Sequence, residues 1–288
     1  MHTMVQWSER PETGVEYCLV LQAAARLEIT GTRPRMRNSI ENNFRKWNDD
    51  YDWPKDGDEW DGQARFSGQP YEAWKDSIVA TFLAPNLSPE SVVLEIAPGH
   101  GRWSNEIVDR CGRLILVDLS PNCIEFCQRR FASHDNVVYL VNDGQSLQGV
   151  ADVSVDFVWS YDAFVHMGTD VIDRYLRELR RVLKPGGKAS IHHAARKHGF
   201  LWLGFLRDFG ALGTNIYKAL SMGKIADDDG WRSNVSQRTI RQLATHHGLR
   251  VRDQLQTWGK NNEFGLERYG DFVTTLIHPP KTQNKLSR

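Results

Sequence analysis

The sequence predicts an α/β fold in which a doubly wound, mostly parallel sheet carries helices on both faces. Between residues 91 and 195, short apolar runs alternate with segments whose apolar residues recur at helical spacing. The first of these runs leads directly into a glycine-bearing loop, Pro98-Gly-His-Gly101. Because ligands bind beyond the carboxyl ends of the strands in such sheets, functional residues are expected at that edge.

Each predicted element follows from its residues. Strands are predicted at 91–96, 113–117, 137–141, 155–159 and 188–191, with two more near 249–257 and 271–278. Helices are predicted near 38–48, 70–84, 102–110, 121–132, 170–183 and 236–247. The helix at 170–183 is the clearest because its apolar residues lie three and four positions apart, and Ser236 is the predicted N-cap of the last helix. A further apolar, helix-like stretch covers residues 200–222.

Composition divides the chain into five segments. Residues 1–36 form an N-terminal appendage, and residues 37–90 form a Trp-rich helical cap segment. Residues 91–195 form the α/β core, residues 196–235 a lid insertion, and residues 236–288 complete the sheet and end in a polar tail. The ligand site is therefore expected in the core.

The composition argues against several classes of protein. Lys plus Arg equals Asp plus Glu at 36 each, so the formal net charge of zero provides no general attraction to nucleic acid. The apolar run at 15–25 is too short and too polar to cross a bilayer. The first residues also lack the pattern of a secretory signal. We therefore expect a cytoplasmic protein that binds neither nucleic acid nor membrane.

The cysteines predict no metal site. Cys18, Cys111, Cys123 and Cys127 include no Cys-x-x-Cys pair. A structural zinc site needs four ligands at recognisable spacing. Reduced thiols, as in a cytoplasmic protein, are therefore expected.

The strongest signal is the segment Val93-Leu-Glu-Ile-Ala-Pro-Gly-His-Gly-Arg-Trp103. It predicts a buried strand, a turn with glycines and the start of a helix, whose free N–H groups attract an anionic group. The NAD fingerprint Gly-x-Gly-x-x-Gly fits poorly, because Ala97 stands at its first position in one register and Ser104 at its third in the other. The loop is thus a nucleotide-binding candidate outside the usual NAD pattern.

Three further features follow the glycine loop in order. Asp118 ends the second strand, Asp143 follows the third, and Val182-Leu-Lys-Pro-Gly-Gly187 forms a predicted turn before the fifth. Together with the loop, in which Ala97 replaces a glycine, they resemble the class I S-adenosylmethionine-dependent methyltransferases. The resemblance implies S-adenosyl-L-methionine as cofactor and a Rossmann-like, seven-stranded sheet whose last strand is antiparallel. It assigns these residues to the cofactor: Glu95, Ala97, Gly99, Gly101, Asp118, Leu119, Asn142, Asp143, Gly144 and Ser160.

Hydrogen-bond chemistry supports two of these assignments without the resemblance. A ribose diol donates two hydroxyl protons and suits a carboxylate at a strand end, as Asp118 offers. The adenine amino group also donates, and Asp143 offers an acceptor. The alternative is that both carboxylates only cap helices and that the glycines only form a tight turn. For Glu95, a role in holding the loop is as consistent as ligand contact.

Polar residues also follow the fourth and fifth predicted strands. Asp162 and His166 come after the strand at 155–159, and His192 and His193 come directly after 188–191. Imidazole can take a proton at neutral pH, so these residues are candidates for deprotonating an acceptor. Adjacent strand residues point to opposite faces, so His192 and His193 are alternatives, and His193, two residues after Ile191, is the preferred one. Asp162 with either histidine could instead hold a divalent cation such as magnesium, which stays open.

The segment Ser160–Met167 and the Ile-His-His strand end resemble a bacterial subgroup of these methyltransferases. This resemblance implies methyl transfer to a small-molecule hydroxyl, for example on a sugar or natural product. The alternatives are N-methylation or aminopropyl transfer on the same fold, and a non-catalytic cofactor-binding module. Nucleic-acid methylation is disfavoured because Ser160-Tyr-Asp-Ala stands where amino-methylating DNA enzymes have Asn/Asp-Pro-Pro-aromatic. The resemblance implies that the cap segment and the insertion cover the site. Their aromatic residues could equally be core, and the stretch at 200–222 could join two copies in a homodimer.

Overall fold

The computed structural model describes part of the chain. The described residues are 39–53, 69–195, 203, 205–206, 209–222, 232–233, 235–266 and 270–280. The chain divides into two units, Met1–Arg35 and Met36–Arg288, and every described residue belongs to the second. The predictions for residues 1–36 and Cys18 lie outside the described residues, as does half of the lid insertion.

Nine strands and seven α-helices have the following bounds in the described residues. The strands are β1 Val92–Ile96, β2 Arg113–Asp118, β3 Val137–Val141, β4 Val155–Ser160, β5 Leu183–His193, β6 Arg250–Leu255, β7 Thr257–Trp258, β8 Phe264–Gly265 and β9 Phe272–Ile277. The helices are α1 Ile40–Phe44, α2 Tyr71–Ile78, α3 Arg102–Ile107, α4 Pro121–Arg130, α5 Thr169–Val182, α6 Gly210–Met222 and α7 Gln237–His246. Two of them continue as π-helical turns, α1 at Arg45–Asp50 and α2 at Val79–Leu83.

The sheet has seven strands in the order β3-β2-β1-β4-β5-β9-β6. All neighbours pair in parallel except β9, which is antiparallel to both β5 and β6. The prediction of a doubly wound, Rossmann-like sheet with an antiparallel last strand is therefore confirmed. The strand order reverses between β1 and β4, and such a switch point opens a crevice at the carboxyl ends of the strands.

Helices cover both faces of the sheet, which explains why the strands read as continuous apolar runs. On one face Leu94, Val158 and Ile191 pack with residues of α5 and α7. On the other face Val93 and Phe157 pack with residues of α2, α3 and α4. Because a strand buried on both sides needs an apolar side chain at nearly every position, the sequence located β1, β2, β3 and β4 to within one residue at either end.

The start of β5 differs from the prediction. The turn predicted at Lys184–Gly187 lies within the bounds of β5, which begins at Leu183. The pairing of β4 with β5 breaks its register between Val155 and Phe157, so this stretch is an irregular part of the strand. The Gly186 N–H donates to the carbonyl of His278, and the His278 N–H donates to that of Gly187. These tertiary hydrogen bonds with the residue after β9 override the local turn signal.

Part of the apolar stretch at 200–222 is described. Its helix α6 exposes large apolar side chains, and the residue before it does the same: Phe209, Leu212, Ile216 and Leu220. No helix among the described residues combines the length and the apolar character needed to cross a membrane. The hairpin of β7 and β8, which forms a separate two-stranded sheet, was not predicted.

Gly101→Ala is expected to reduce the free energy of unfolding by roughly 2–4 kcal/mol. Gly101 has a φ of +84°, and a Cβ there would lie 2.7 Å from Cε2 of Phe131. Gly186 is the matched control, because it has a φ of +87° but nothing within 4 Å of an added Cβ. We expect Gly186→Ala to lose only about 1 kcal/mol from backbone strain. Urea unfolding of the two variants measures both; equal losses would contradict a packing role for Gly101.

Candidate active site

A cavity lies where β1, β2 and β4 end. It encloses about 1020 Å³ of empty space, part of it open to solvent. Most of its lining comes from the loop after β1, the end of β2 with the residues that follow, the loop after β4, and the segment 40–53 of the cap, with further residues from the loop after β3 and from α5. The cavity thus lies at the strand ends where the sequence places the site.

The loop after β1 reverses the chain under the cavity. Ala97 and Gly99, which both line the cavity, have φ values of +58° and +57°. The Ala97 N–H donates to the Val117 carbonyl at 2.7 Å, and the Gly99 N–H donates to Oδ2 of Asp118 at 3.2 Å. These two hydrogen bonds tie the loop to the end of β2. Ala97 therefore adopts the left-handed conformation for which the family's motif uses glycine.

Asp118 is buried, and its carboxylate faces the cavity. Oδ1 accepts the N–H of Ser120 at 2.8 Å, and Oδ2 accepts that of Gly99. Burial raises the pKa of Asp118 to about 6, and these backbone hydrogen bonds only partly offset the effect. Each oxygen can accept a second hydrogen bond, so the carboxylate has unused acceptor capacity toward a ligand.

The residues after β3 contribute less than the sequence suggests. Gly144 lines the cavity, as does Leu119 after β2, whereas Asn142 and Asp143 do not. The Asn142 amide donates to the Ser146 carbonyl and to the Tyr175 hydroxyl, and its Oδ1 accepts the Gly144 N–H. Asp143 accepts the N–H groups of residues 145 and 146. Both side chains shape the loop that presents Gly144.

Three further predicted cofactor residues lie behind the cavity wall. Glu95 is buried and accepts a hydrogen bond from Oγ of Ser104 at 2.6 Å, which ties β1 to α3. The Ser160 hydroxyl donates to the Ile96 carbonyl at 2.9 Å and ties β4 to β1. Gly101 packs against Phe131, as described above. None of the three lines the cavity, so their contacts support a structural role.

Asp162 lines the cavity and has a φ of +63°. Its Oδ2 lies 3.3 Å from Nη2 of Arg102, and its Oδ1 lies 3.0 Å from Nδ1 of His192. Burial would raise the pKa of Asp162. The contact with His192 and the charges of two arginines outweigh burial, so the pKa lies well below its usual range. The Asp162 carboxylate is therefore fixed by its neighbours and is a weak base.

The two adjacent histidines occupy opposite sides of β5. His192 lies one layer behind the cavity, with its ring stacked on Tyr161 at a centroid distance of 4.3 Å. The ring nitrogens of His193 lie 2.8 Å from the Ala194 carbonyl oxygen and 2.6 Å from Oγ1 of Thr274. Burial lowers the pKa of His193 to about 4. Because His193 is enclosed on the far side of the strand, the structure does not bring it to the cavity.

His166 lines the cavity beside a wall of aromatic residues from the cap. Its ring lies 5.0 Å from that of Trp47, and its carbonyl accepts a hydrogen bond from the Asn43 amide at 3.0 Å. Tyr51 and Trp53 complete this wall. Trp74, by contrast, is fully buried in the core. The tryptophans of the cap segment thus divide between the two roles that the sequence left open.

The cap segment is attached to the core beside the glycine loop. Oδ1 of Asn48 accepts the Ser120 hydroxyl at 2.8 Å, and the Asn48 carbonyl accepts the amide of Asn122 at 3.0 Å. The ring of Trp53 stacks on His100 with centroids 4.7 Å apart, and His100 stacks on Phe126 at 3.7 Å. The segment 39–53 therefore closes one side of the cavity by contacts with the residues that follow β1 and β2.

Sequence reasoning missed Arg102, which is 3% exposed and lines the cavity. The residue directly follows the glycine loop, so its position at the start of α3 was the available signal.

The sequence left open whether the site holds a divalent cation, and the arrangement of side chains in the described residues bears on this question. No group of three or more His, Cys, Asp or Glu side chains lies close enough together there to hold a metal ion.

Comparison with known proteins gives a family for the core. A family profile described as a methyltransferase domain matches residues 93–187. The hybrid PKS-NRPS synthetase poxE of Penicillium oxalicum is 35% identical over 34% of this chain and 3% of its own length. The methyltransferase GfsG of Streptomyces halstedii is 30% identical over 34% of this chain and 36% of its own. The demethylmenaquinone methyltransferase of Staphylococcus epidermidis is 28% identical over 42% of this chain and 49% of its own length. The matches thus cover at most about half of these relatives.

Solved structures share the fold. The [4+2]-cyclase SpnF superposes with a TM-score of 0.53 at 16% identity, over 77% of this chain and 86% of its own. A protein of Galdieria sulphuraria, provisionally assigned as a sarcosine dimethylglycine methyltransferase, superposes with a TM-score of 0.52 at 17% identity. The match covers 72% of this chain and 85% of that protein. At such identities the likeness concerns the fold alone.

Residues 93–187 match the methyltransferase-domain profile, and the seven-stranded sheet has a Rossmann-like strand order. The glycine loop, Asp118 and Asp162 all lie within the matched residues.

Arg102→Met is expected to lower the free energy of unfolding by about 2–4 kcal/mol at pH 7, because it leaves the Asp162 carboxylate without its cation. The folded-state pKa of Asp162 lies below its unfolded value, so its contribution is present above pH ~4 and disappears as the pH falls further. The difference between the variant and the wild type should therefore shrink in acid. Urea unfolding at pH 7 and in acid measures it. Arg129→Met, which breaks an exposed pair with Glu125, should leave stability nearly unchanged.

Proposed function

We propose that this protein transfers a methyl group from S-adenosyl-L-methionine to a hydroxyl of a small molecule. One observation carries the proposal. A single cavity joins Asp118 and the glycine loop to a second set of polar residues, Asp162 and His166, beside an aromatic wall. The first set suits a nucleoside, and the second suits an acceptor that must be oriented and deprotonated.

The chain's own residues fit the cofactor. The partly compensated carboxylate of Asp118 offers acceptor positions that a ribose diol would fill. Two carboxylates and one guanidinium line the cavity, so these lining charges sum to one negative charge. S-Adenosyl-L-methionine carries a sulfonium, an ammonium and a carboxylate, and its net positive charge complements that sum. When bound, it supplies an electrophilic methyl group.

Asp162 and His166 have separate roles in this proposal. The ionised carboxylate of Asp162, held by Arg102, accepts a hydrogen bond from the acceptor hydroxyl and fixes its direction. The imidazole of His166 takes the hydroxyl proton as the methyl group is transferred. The cap segment excludes water from this end of the cavity.

The aromatic wall of the cavity indicates the chemical class of the acceptor. Trp47, Tyr51 and Trp53 form an aromatic surface, and the lining charges would already be balanced by the cofactor. An uncharged acceptor with an apolar or sugar face suits such a wall. The names of the relatives, which include polyketide-type synthases and a quinone methyltransferase, are compatible with a natural product.

Other reactions on the same fold are the alternatives to this proposal, and experiment can distinguish them from it. N-methylation or aminopropyl transfer would use the same fold, but an amine acceptor needs less help with deprotonation. The fold alone does not fix the reaction, since the [4+2]-cyclase SpnF shares it. A homodimer through the exposed face of α6, a cytoplasmic location and the lack of a nucleic-acid partner also stay predictions.

Asp118→Asn should weaken S-adenosyl-L-methionine binding by roughly 10–100-fold in calorimetric titration, because hydrogen bonds to a charged group are lost. In the wild type, affinity should rise as the pH increases through about 6, where Asp118 ionises. The variant should lack this rise. Asp109→Asn, at an exposed carboxylate outside the cavity, is the control and should behave as wild type. Tight binding of NAD with no binding of S-adenosyl-L-methionine would contradict the proposal.

His166→Gln should reduce turnover by roughly 100-fold without changing the affinity for S-adenosyl-L-methionine. An acceptor screen with radiolabelled cofactor identifies the substrate, and steady-state kinetics with that substrate measure the loss. His134→Gln, at a surface histidine paired with Asp109, is the matched control. Unchanged turnover of His166→Gln would contradict the assigned role and favour an amine acceptor.

A further inference from the structure

An apolar part of the cavity lining includes one buried hydroxyl group, that of Tyr175 in α5. A Cβ added at Gly144 would lie 3.0 Å from Cγ2 of Ile40 and 3.1 Å from Cδ1 of Leu119, so these three residues meet. Val171 lies one helical turn before Tyr175 on the same face of α5. All five residues line the cavity, and Tyr175 is 2% exposed. We call these five residues the apolar end of the cavity.

The side-chain amide of Asn142 determines which role the Tyr175 hydroxyl plays in their contact. Nδ2 of Asn142 donates to the Ser146 carbonyl at 2.7 Å, and Oδ1 accepts the Gly144 N–H at 3.1 Å. A carbonyl only accepts and a backbone N–H only donates, so these two partners fix the orientation of the amide. The other N–H of Nδ2 therefore donates to the Tyr175 oxygen, which lies 2.9 Å away. In this hydrogen bond Tyr175 is the acceptor.

The proton of the Tyr175 hydroxyl is left for another partner. A phenol donates one hydrogen bond in addition to those that it accepts. In the part of the chain that the structure describes, the bond from Asn142 is the one hydrogen bond of this oxygen. Burial raises the pKa of Tyr175 further above its ordinary value, so the hydroxyl keeps its proton at neutral pH. Because a buried donor needs an acceptor, this hydroxyl is prepared to donate to a molecule in the cavity.

The chemistry of the apolar end fits the flat ring of a nucleobase. Apolar side chains suit the two faces of such a ring, and a hydroxyl proton suits a ring nitrogen at its edge. Leu119 directly follows Asp118, the carboxylate whose remaining acceptor positions suit a ribose diol. The carboxylate of Asp143, by contrast, accepts the N–H groups of its own turn. The group at this end that is placed to recognise a base is therefore the hydroxyl of Tyr175.

We propose that the Tyr175 hydroxyl donates a hydrogen bond to a ring nitrogen of the adenine of S-adenosyl-L-methionine. Three ring nitrogens of adenine, N1, N3 and N7, have a lone pair in the ring plane and accept hydrogen bonds. Because the Asn142 amide occupies the hydroxyl as a donor, the proton of Tyr175 points away from that amide and complements such a lone pair. This inference rests on the proposed function. It concerns recognition of the base and leaves the roles of Asp162 and His166 unchanged.

Calorimetric titration of the full-length protein with S-adenosyl-L-homocysteine, the demethylated form of the cofactor, tests this hydrogen bond. In the 1-deaza, 3-deaza and 7-deaza analogues of this ligand, a C–H group replaces one ring nitrogen and cannot accept. We expect the wild type to bind one of these analogues roughly tenfold more weakly than the parent ligand, because the Tyr175 proton loses its acceptor. Equal affinity of the wild type for the parent and all of the analogues would overturn the inference.

Tyr175→Phe removes the hydroxyl and keeps the ring, while Nδ2 of Asn142 retains the Ser146 carbonyl. The variant should bind the parent ligand roughly tenfold more weakly than the wild type does. It should bind the sensitive analogue within about twofold of the parent, because the hydrogen bond is already absent. A merely structural role would lower the affinity for every ligand by the same factor and preserve the wild-type difference between them. That result, or unchanged binding of the parent, would contradict the inference.

Tyr139 of β3 provides the matched control, because it is a half-buried tyrosine that does not line the cavity. Tyr139→Phe should bind the parent ligand and the sensitive analogue as the wild type does. If the wild type binds neither S-adenosyl-L-methionine nor S-adenosyl-L-homocysteine, the proposed function is wrong, and this inference with it. If the wild type binds both but Tyr175→Phe preserves the difference between parent and analogue, only the role of Tyr175 is wrong.

Discussion

The reversal of the chain after β1 is the constraint on which the site depends. Ala97, Gly99 and Gly101 all have positive φ, so the backbone turns sharply enough to present its N–H groups to the end of β2. The Ala97 N–H binds the Val117 carbonyl, the Gly99 N–H binds Asp118, and the Gly99 carbonyl accepts the thiol of Cys127. The turn costs about 1 kcal/mol at Ala97, where a Cβ is present. The turn brings Asp118 and the start of α3 close to the loop, and the cavity lies beside them.

The elements that sequence predicts well are those fixed by local chemistry or by burial on both sides. The five parallel strands are apolar runs because helices cover both faces, and the Ser236 hydroxyl caps α7 by accepting the Thr239 N–H as its residue type predicts. The start of β5 and the hairpin of β7 and β8 are different. They depend on hydrogen bonds to distant segments, such as those between Gly186, Gly187 and His278, which have no local signature.

The same distinction holds for the candidate site. Asp118 follows its strand directly, so sequence order alone places it at the cavity. Arg102 becomes a site residue only because the loop after β4 brings Asp162 within 3.3 Å, across 60 positions of sequence. Strand alternation showed that His192 and His193 face opposite ways, but only the packing of β9 and Tyr161 reveals which of them lies toward the cavity. Asp143 had the expected residue type and order, yet its carboxylate is used by its own turn.

The two carboxylates of the cavity show how the protein divides the work between itself and its ligands. Asp118 is buried and Asp162 is 14% exposed, and the pKa of Asp118 is raised to about 6 while that of Asp162 is lowered. The difference lies in their neighbours, because Asp118 has backbone N–H groups whereas Asp162 has a guanidinium and an imidazole. Asp162 is therefore ionised and oriented before any ligand arrives. Asp118 keeps acceptor positions beyond the backbone N–H groups that it binds. The two ends of the cavity therefore differ in how far the protein's own charged groups compensate their carboxylates.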